Sequence, residues 1–219
     1  MKIKIKYFSE TERDTLYSVM QTRRDMRHFI PETKVEENVL QRILEAAHSA
    51  PSVGLMQPWR FIRIIKEKLR EEIAQLVDDE RKETALKLDA RKKEFLELKV
   101  EGVRECAELI AVVNAPDDGT VFGRRSMPDE MALCSTACAI QNLWLAARAE
   151  NIGMGWVSLF EPKALANALQ CPEGAKPVAL LCIGPVESFY SRPMLEAVGW
   201  RNARPLDDLL SEDSYFFQN

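Results

Sequence analysis

Residues 135–147 constrain the fold more than any other stretch of the chain. Ser-Thr-Ala-Cys-Ala-Ile-Gln-Asn-Leu-Trp-Leu-Ala-Ala is small or apolar almost all the way round a helix, with neither Gly nor Pro to break it. Such a helix is covered on most sides, either at the domain centre or against a second subunit. The pattern predicts a helix from about Asp129 to Glu150, stopped by Asn151 to Gly153.

Short apolar runs surround it. Trp59–Ile65, Leu109–Val113, Met154–Phe160 and Val178–Gly184 read as strands, the second and fourth apolar throughout and so covered on both faces. Helical spacing predicts a first helix opened by a Ser9/Glu12 capping box and running to the Arg23 region. A second runs from about Glu36 to His48 with Val39, Leu40, Ile43, Leu44 and Ala47 inward, and a short one spans Pro162 to Leu169. No repeat or low-complexity linker interrupts the chain, so the expectation is a single domain over 1–219.

Residues 66–105 differ in character. More than half are charged with both signs interleaved, and apolar positions are sparse, which predicts one or two exposed helices laced by i,i+4 ion pairs and forming no core of their own. Composition leaves two readings open, a lid over a site or a solvated helical hairpin.

With 46% apolar and 29% charged residues the chain is an ordinary globular protein. A net charge of −4 supplies no basic excess to displace counterions from phosphates, so no nucleic-acid partner is expected. The polar start Met1–Lys6 lacks a signal-peptide core and no apolar run reaches membrane-spanning length, so a cytoplasmic location off the membrane is expected. The cysteines Cys106, Cys134, Cys138, Cys171 and Cys182 form no C-x-x-C pair and read as buried, reduced thiols. Cys134 and Cys138 could share a helix face, but His28 and His48 are distant, so no metal site is expected.

Three stretches carry chemistry. Arg23-Arg24-Asp25-Met26-Arg27 places three guanidiniums around one carboxylate. Alone it is either a solvated cluster of ion pairs or an anion clamp with an ionised carboxylate inside it. Ala50-Pro51-Ser52-Val53-Gly54-Leu55-Met56-Gln57-Pro58-Trp59 is a shaped loop feeding a strand, a common home for binding groups. Gly153-Met154-Gly155-Trp156-Val157-Ser158-Leu159 is no dinucleotide fingerprint, and its glycines suit a flat ligand lying close to the backbone. Ser158 is in no nucleophile elbow and in isolation reads as a locally satisfied strand hydroxyl. The tail, through Gly199-Trp200-Arg201 to Phe216-Phe217, has apolar anchors enough to wrap the body or a partner.

In this order the stretches resemble the flavin-dependent nitroreductase superfamily. Within it they resemble the 5,6-dimethylbenzimidazole synthases, which make the lower ligand of vitamin B12. The likeness is strongest at 23–27, 50–59, 135–160 (Gln141 to Glu150 above all) and 199–201, and weakest at 66–94 and both ends. It implies an α+β fold, a mixed β-sheet flanked by helices, in an intertwined homodimer with flavin sites at the interface. Arg23, Arg24, Asp25, Met26, Arg27 and Arg201 would bind FMN, joined by Ser52, Met56 and Gln57, with Gly155, Trp156, Ser158 and Leu159 along the ring.

Many nitroreductases resemble one another in carrying a small hydroxyl residue where this chain has Asp25. The synthases resemble this chain in carrying a carboxylate. The resemblance therefore implies that reduced FMN is a substrate, fragmented with dioxygen to dimethylbenzimidazole and erythrose 4-phosphate. Asp25 would be the base at the first ribityl carbon and Ser158 the second catalytic residue. A separate flavin reductase would supply reduced FMN, and residues 66–105 would be a lid excluding solvent. The competing expectations are an NAD(P)H-dependent nitroreductase or reductive dehalogenase that keeps its FMN, and a flavin-binding protein with no reaction.

Overall fold

The computed structural model describes residues 7–215, so the polar start before Tyr7 and the Phe216–Phe217 anchors lie outside the described residues. Two compact units form, one extending to Phe189 and a smaller one from Tyr190.

The larger unit is an α+β assembly. Helix α1 (Glu10–Thr22) begins with the expected capping box, Ser9 accepting from the Glu12 N–H while Glu12 accepts from the Ser9 N–H. Then come α2 (Glu37–His48), strand β1 (Trp59–Arg63), α3 (Glu67–Ala85), α4 (Lys92–Glu97), β2 (Glu108–Asn114), α5 (Pro128–Ala149), β3 (Gly153–Val157), α6 (Pro162–Ala168) and β4 (Lys176–Gly184). The strands lie in the order β1-β2-β4-β3, and every ladder between them is antiparallel. The expected mixed character reduces, among the described residues, to one parallel bridge between Asp25 and Met154.

The long helix explains the core. On α5, Ile140, Leu143 and Ala147 are fully buried against Leu40, Ile43 and Ala47 of α2 and against Ile110, Val112, Leu181 and Ile183 of the sheet. Each such Leu or Ile contributes about 1.5–3 kcal/mol by leaving water. The opposite face of α5 is bare in a single chain. Leu133 is 48% exposed, and Cys134 and Cys138 are also exposed, which corrects the expectation of buried thiols for these two. Cys106 and Cys182 are buried as expected, and Cys171 is intermediate. Helix α1 buries none of its residues, leaving Leu16, Tyr17 and Met20 exposed.

The charged segment departs from its expectation in two ways. Its ion pairs within a helical turn are three residues apart, Asp79–Lys82 and Arg91–Glu94, while Lys99 pairs with Glu101 and Glu105 and Arg104 reaches back to Glu71 and Asp78. It also buries apolar surface of its own: Ile73, Ala74 and Val77 are at most 1% exposed where α3 packs near α6. The sparse apolar positions recur at helical spacing and so concentrate on one inward stripe. Arg70 fastens α3 down by donating to the Cys106 carbonyl at 2.6 Å.

The smaller unit holds a one-turn helix α7 (Met194–Ala197) and a 3-10 turn (Leu206–Leu209), with Leu206, Leu209, Leu210 and Tyr215 exposed. No helix among the described residues is long and apolar enough to cross a membrane.

Candidate functional site

Helix α1 ends at Arg23, whose extended backbone (φ −61°, ψ 135°) sends the chain out alongside β3. Strand β3 is a sheet edge with unsatisfied backbone groups, and residues 25–27 take that edge. Met26 N–H donates to the Met154 carbonyl at 2.9 Å. Asp25 Oδ1 accepts the Trp156 N–H at 3.0 Å, and Arg27 Nη2 donates to the Trp156 carbonyl at 2.8 Å. The same Arg27 nitrogen reaches Asp25 Oδ2 at 2.5 Å. Side chains thus substitute for the ladder bonds a fifth strand would make.

Gly155 makes this approach possible, because a Cβ there would lie 2.2 Å from the Met26 carbonyl oxygen. Met26 is 1% exposed, so its contribution is backbone and core.

Two indoles support the arginines. Trp144 of α5 lies with its ring 6.4 Å from that of Trp156, centroid to centroid. The Arg23 guanidinium is 4.5 Å from the Trp144 centroid, a cation–π contact. Arg24 Nη1 turns back on α1, donating to the carbonyls of Gln21 and Arg23 at 2.7 Å each, the usual role of a cation at a helix C-terminus. Burial pushes the Asp25 carboxyl above its ordinary 3.8, against the opposing pull of the Arg27 charge, the Trp156 N–H and Arg23. Ser158, exposed, and Leu159, half-buried, follow just beyond the last paired residue of β3.

The loop residues gather elsewhere. Ser52 Oγ accepts the Gln57 N–H at 3.1 Å, and Ser135 Oγ on α5 accepts the Val53 N–H at 3.1 Å. Leu55 and Gln57 hold left-handed backbone at φ 55° and 44°. Met56 and Gln57 line an open hollow of about 610 Å³ with Glu45, His48, Trp59 and Arg60. This loop leads into β1, the edge of the sheet opposite β3. Three strand spacings, about 14 Å, separate those edges. The predicted residues therefore form two sets in one chain: 23–27 with 155–159, and 52–57. Arg201 belongs to the smaller unit and is exposed there.

Sequence reasoning missed Trp144 as a site residue. Its signal was a lone indole in a helix otherwise built of small and aliphatic side chains.

The donor set interleaves guanidiniums and indoles, Arg23 lying over the Trp144 ring and Arg27 on the Trp156 carbonyl. It fits a ligand that joins an anionic group to a flat ring. Among the described residues no group of three or more His, Cys, Asp or Glu is placed to hold a metal ion.

Comparisons with known proteins agree on the lineage. The 5,6-dimethylbenzimidazole synthase of Rhodospirillum rubrum is 39% identical over 204 residues, covering 90% of this chain and 94% of that protein. The synthase of the same name from Rhodobacter capsulatus is 38% identical over 203 residues, covering 91% and 97%. The structure of oxidized iodotyrosine deiodinase bound to FMN and 3-iodo-L-tyrosine shares the fold, with a TM-score of 0.71 at 21% identity over 91% of this chain and all of that one. The model of the Nitroreductase family matches residues 20–185, from the end of α1 through β4. With that span holding both residue sets and the whole sheet, the chain belongs to the nitroreductase family.

Proposed function

We propose that this protein is a 5,6-dimethylbenzimidazole synthase that consumes reduced FMN. The observation that carries the reading is the 39% identity to a synthase of that name across 90% of the chain. The carboxylate of Asp25 amid the arginines supports it. Bound reduced FMN would supply the dimethyl ring, the bridging carbon and the electrons that dioxygen accepts, with erythrose 4-phosphate and a fragment carrying the pyrimidine-ring carbons as the other products.

The chain's own residues bind, orient and move protons. Arg23, Arg24 and Arg27 face the phosphate, ribityl and pyrimidine groups, by charge-assisted hydrogen bonds. Asp25 takes a proton at the first ribityl carbon, a task suited to a carboxyl whose pKa burial has raised above the ordinary 3.8. Ser158 offers a hydroxyl to the central ring, and Gly155, Trp156 and Leu159 line it.

Ser52, Met56 and Gln57 complete the site from a second copy of the chain. The placement of the two sets on opposite edges of one sheet supports that arrangement, as do the bare apolar faces of α1 and α5. Residues 66–105 act as the lid that keeps water out, a separate cytoplasmic flavin reductase supplies the substrate, and the enzyme works in the same compartment.

The test is to add reduced FMN in air and follow dimethylbenzimidazole by chromatography. Stoichiometric reoxidation of FMN with hydrogen peroxide as the only product would overturn the reading in favour of a flavin-retaining reductase or a binding protein.

A further inference from the structure

We infer that Arg124 is a positioning residue for the loop 52–57 that brings Ser52, Met56 and Gln57 to the flavin, an inference that rests on the synthase reading above. Strand β2 ends at Asn114 and α5 begins at Pro128, with neither helix nor strand between them. Within that connection lies a guanidinium whose side chain is only 3% exposed. Burying such a charge is costly unless its donors find acceptors. Arg124 Nε and Nη2 both donate to the Pro128 carbonyl, at 3.1 and 3.0 Å. Its Nη1 donates to Asp117 Oδ1 at 2.8 Å and to the Thr120 carbonyl at 3.0 Å. These bonds hold the Asp117 carboxyl below its ordinary 3.8, so the ion pair stands at neutral pH. The connection is folded around one cation, which ties its start and its middle to the first turn of α5.

The folded connection presses on the loop 52–57. A Cβ at Gly54 would lie 2.8 Å from Thr120 Cγ2 and 3.1 Å from the Phe122 carbonyl oxygen, and one at Gly123 would lie 2.6 Å from Val53 Cγ2. Both glycines hold left-handed backbone, at φ 55° and 75°, as so close an approach requires. Val53 is gripped from two sides, by Gly123 against its side chain and by Ser135 Oγ of α5 accepting its N–H.

The loop needs that grip. Leu55 and Gln57 carry side chains on left-handed backbone, and such residues keep their conformation only where the surroundings dictate it. The bonds inside the loop, Gln57 N–H to Ser52 Oγ and Met56 N–H to the Val53 carbonyl, set its curvature. The wall formed by Thr120, Phe122 and Gly123 sets where that curve stands. Without Arg124, Asp117 and the Thr120 and Pro128 carbonyls lose their common donor and the wall loosens. Asp25 lies at the opposite edge of the sheet, so the effect falls on flavin binding and not on the reaction step.

Arg124→Met tests this, with hydrogen exchange read by NMR in flavin-free protein and reduced-FMN binding read by equilibrium dialysis under nitrogen. The Val53 and Gln57 amides should quicken roughly ten-fold beyond any change at Ile140 in the core of α5, which reports the whole fold. Affinity for reduced FMN should fall about ten-fold, while product formation at saturating FMN stays within about three-fold of wild type. Loop amides that quicken no more than Ile140, or an unchanged flavin affinity, overturn the proposal, as does a saturating rate that falls as far as the affinity. Wild-type protein that makes no dimethylbenzimidazole sinks the synthase reading instead, and the exchange and flavin affinity of Arg124→Met still decide the positioning role. Should Arg124→Met not fold, Gly123→Ala disturbs the same contact from the wall side and should quicken Val53 and weaken flavin binding. Wild-type exchange and wild-type affinity in that variant overturn the proposal.

Discussion

Trp144 donates its indole N–H to the Arg24 carbonyl at 3.2 Å while its ring carries the Arg23 guanidinium. One side chain of the central helix therefore anchors both Arg23 and Arg24. Trp144→Phe keeps an aromatic face and loses the hydrogen bond, so it should lower stability by about 1 kcal/mol. Trp144→Leu also removes the cation–π contact and should cost roughly 0.5–1 kcal/mol more, with a parallel loss of flavin affinity. Urea denaturation and fluorescence titration with FMN check both.

Asp25→Asn should bind reduced FMN nearly as wild type, because Arg23 and Arg24 remain, and yield no dimethylbenzimidazole. In wild type, product formation should decline as pH falls through the raised Asp25 pKa, at a pH above the ordinary 3.8. Stability runs the opposite way, because the folded state binds the Asp25 proton more tightly than the unfolded state does. Folding free energy should therefore weaken as pH climbs from 3.8 through the raised value, a slope that Asp25→Asn abolishes. Denaturation midpoints and product yields across that window are the measurements.

Gly155→Ala should be severe for so small a change. The added carbon would meet the Met26 carbonyl oxygen at 2.2 Å, backbone against backbone, and levers 25–27 off the edge of β3. A loss of roughly 1–3 kcal/mol is expected, with flavin binding lost alongside it. Full flavin affinity in a folded Gly155→Ala protein would show that the clamp does not depend on this approach.

Cys138→Arg places a charge on the exposed face of α5. It should leave the fold intact by circular dichroism yet give a monomer by light scattering, with product formation lost because no second copy brings Ser52, Met56 and Gln57. A dimeric, active variant would remove this face from the interface.

Arg70→Met removes the bond from α3 to the Cys106 carbonyl at 2.6 Å. A charged donor to a buried acceptor is worth about 1.5–3 kcal/mol, and here the loss should fall on the attachment of the charged segment. Protease nicking within 67–97 should quicken, and hydrogen peroxide should rise at the expense of dimethylbenzimidazole.

What was legible in the sequence followed from periodicity and local chemistry. The Ser9–Glu12 box, the α2 stripe of Leu40, Ile43 and Ala47, and the four strands depend on neighbours a few residues away. Strand ends were less legible: the apolar pattern through Phe160 hides that pairing stops at Val157, which leaves Ser158 outside the ladder. The Asp25–Arg27–Trp156 latch was illegible because it joins residues 131 positions apart through side chains that stand in for a strand. Equal-looking arginines gave no sign of their unequal burial. Cys134 and Cys138 misled because apolar neighbours mark a face suited to burial, and within this chain that face is exposed.

The distance across the sheet between Asp25 and the Ser52–Gln57 loop has a genetic consequence under the two-copy arrangement. A chain damaged at Asp25 and a chain damaged at Gln57 would each be inactive alone. Mixed together, their heterodimers would carry one centre bearing both lesions and one bearing neither. Two null alleles on opposite edges would then restore partial vitamin synthesis, whereas two null alleles on the same edge never could.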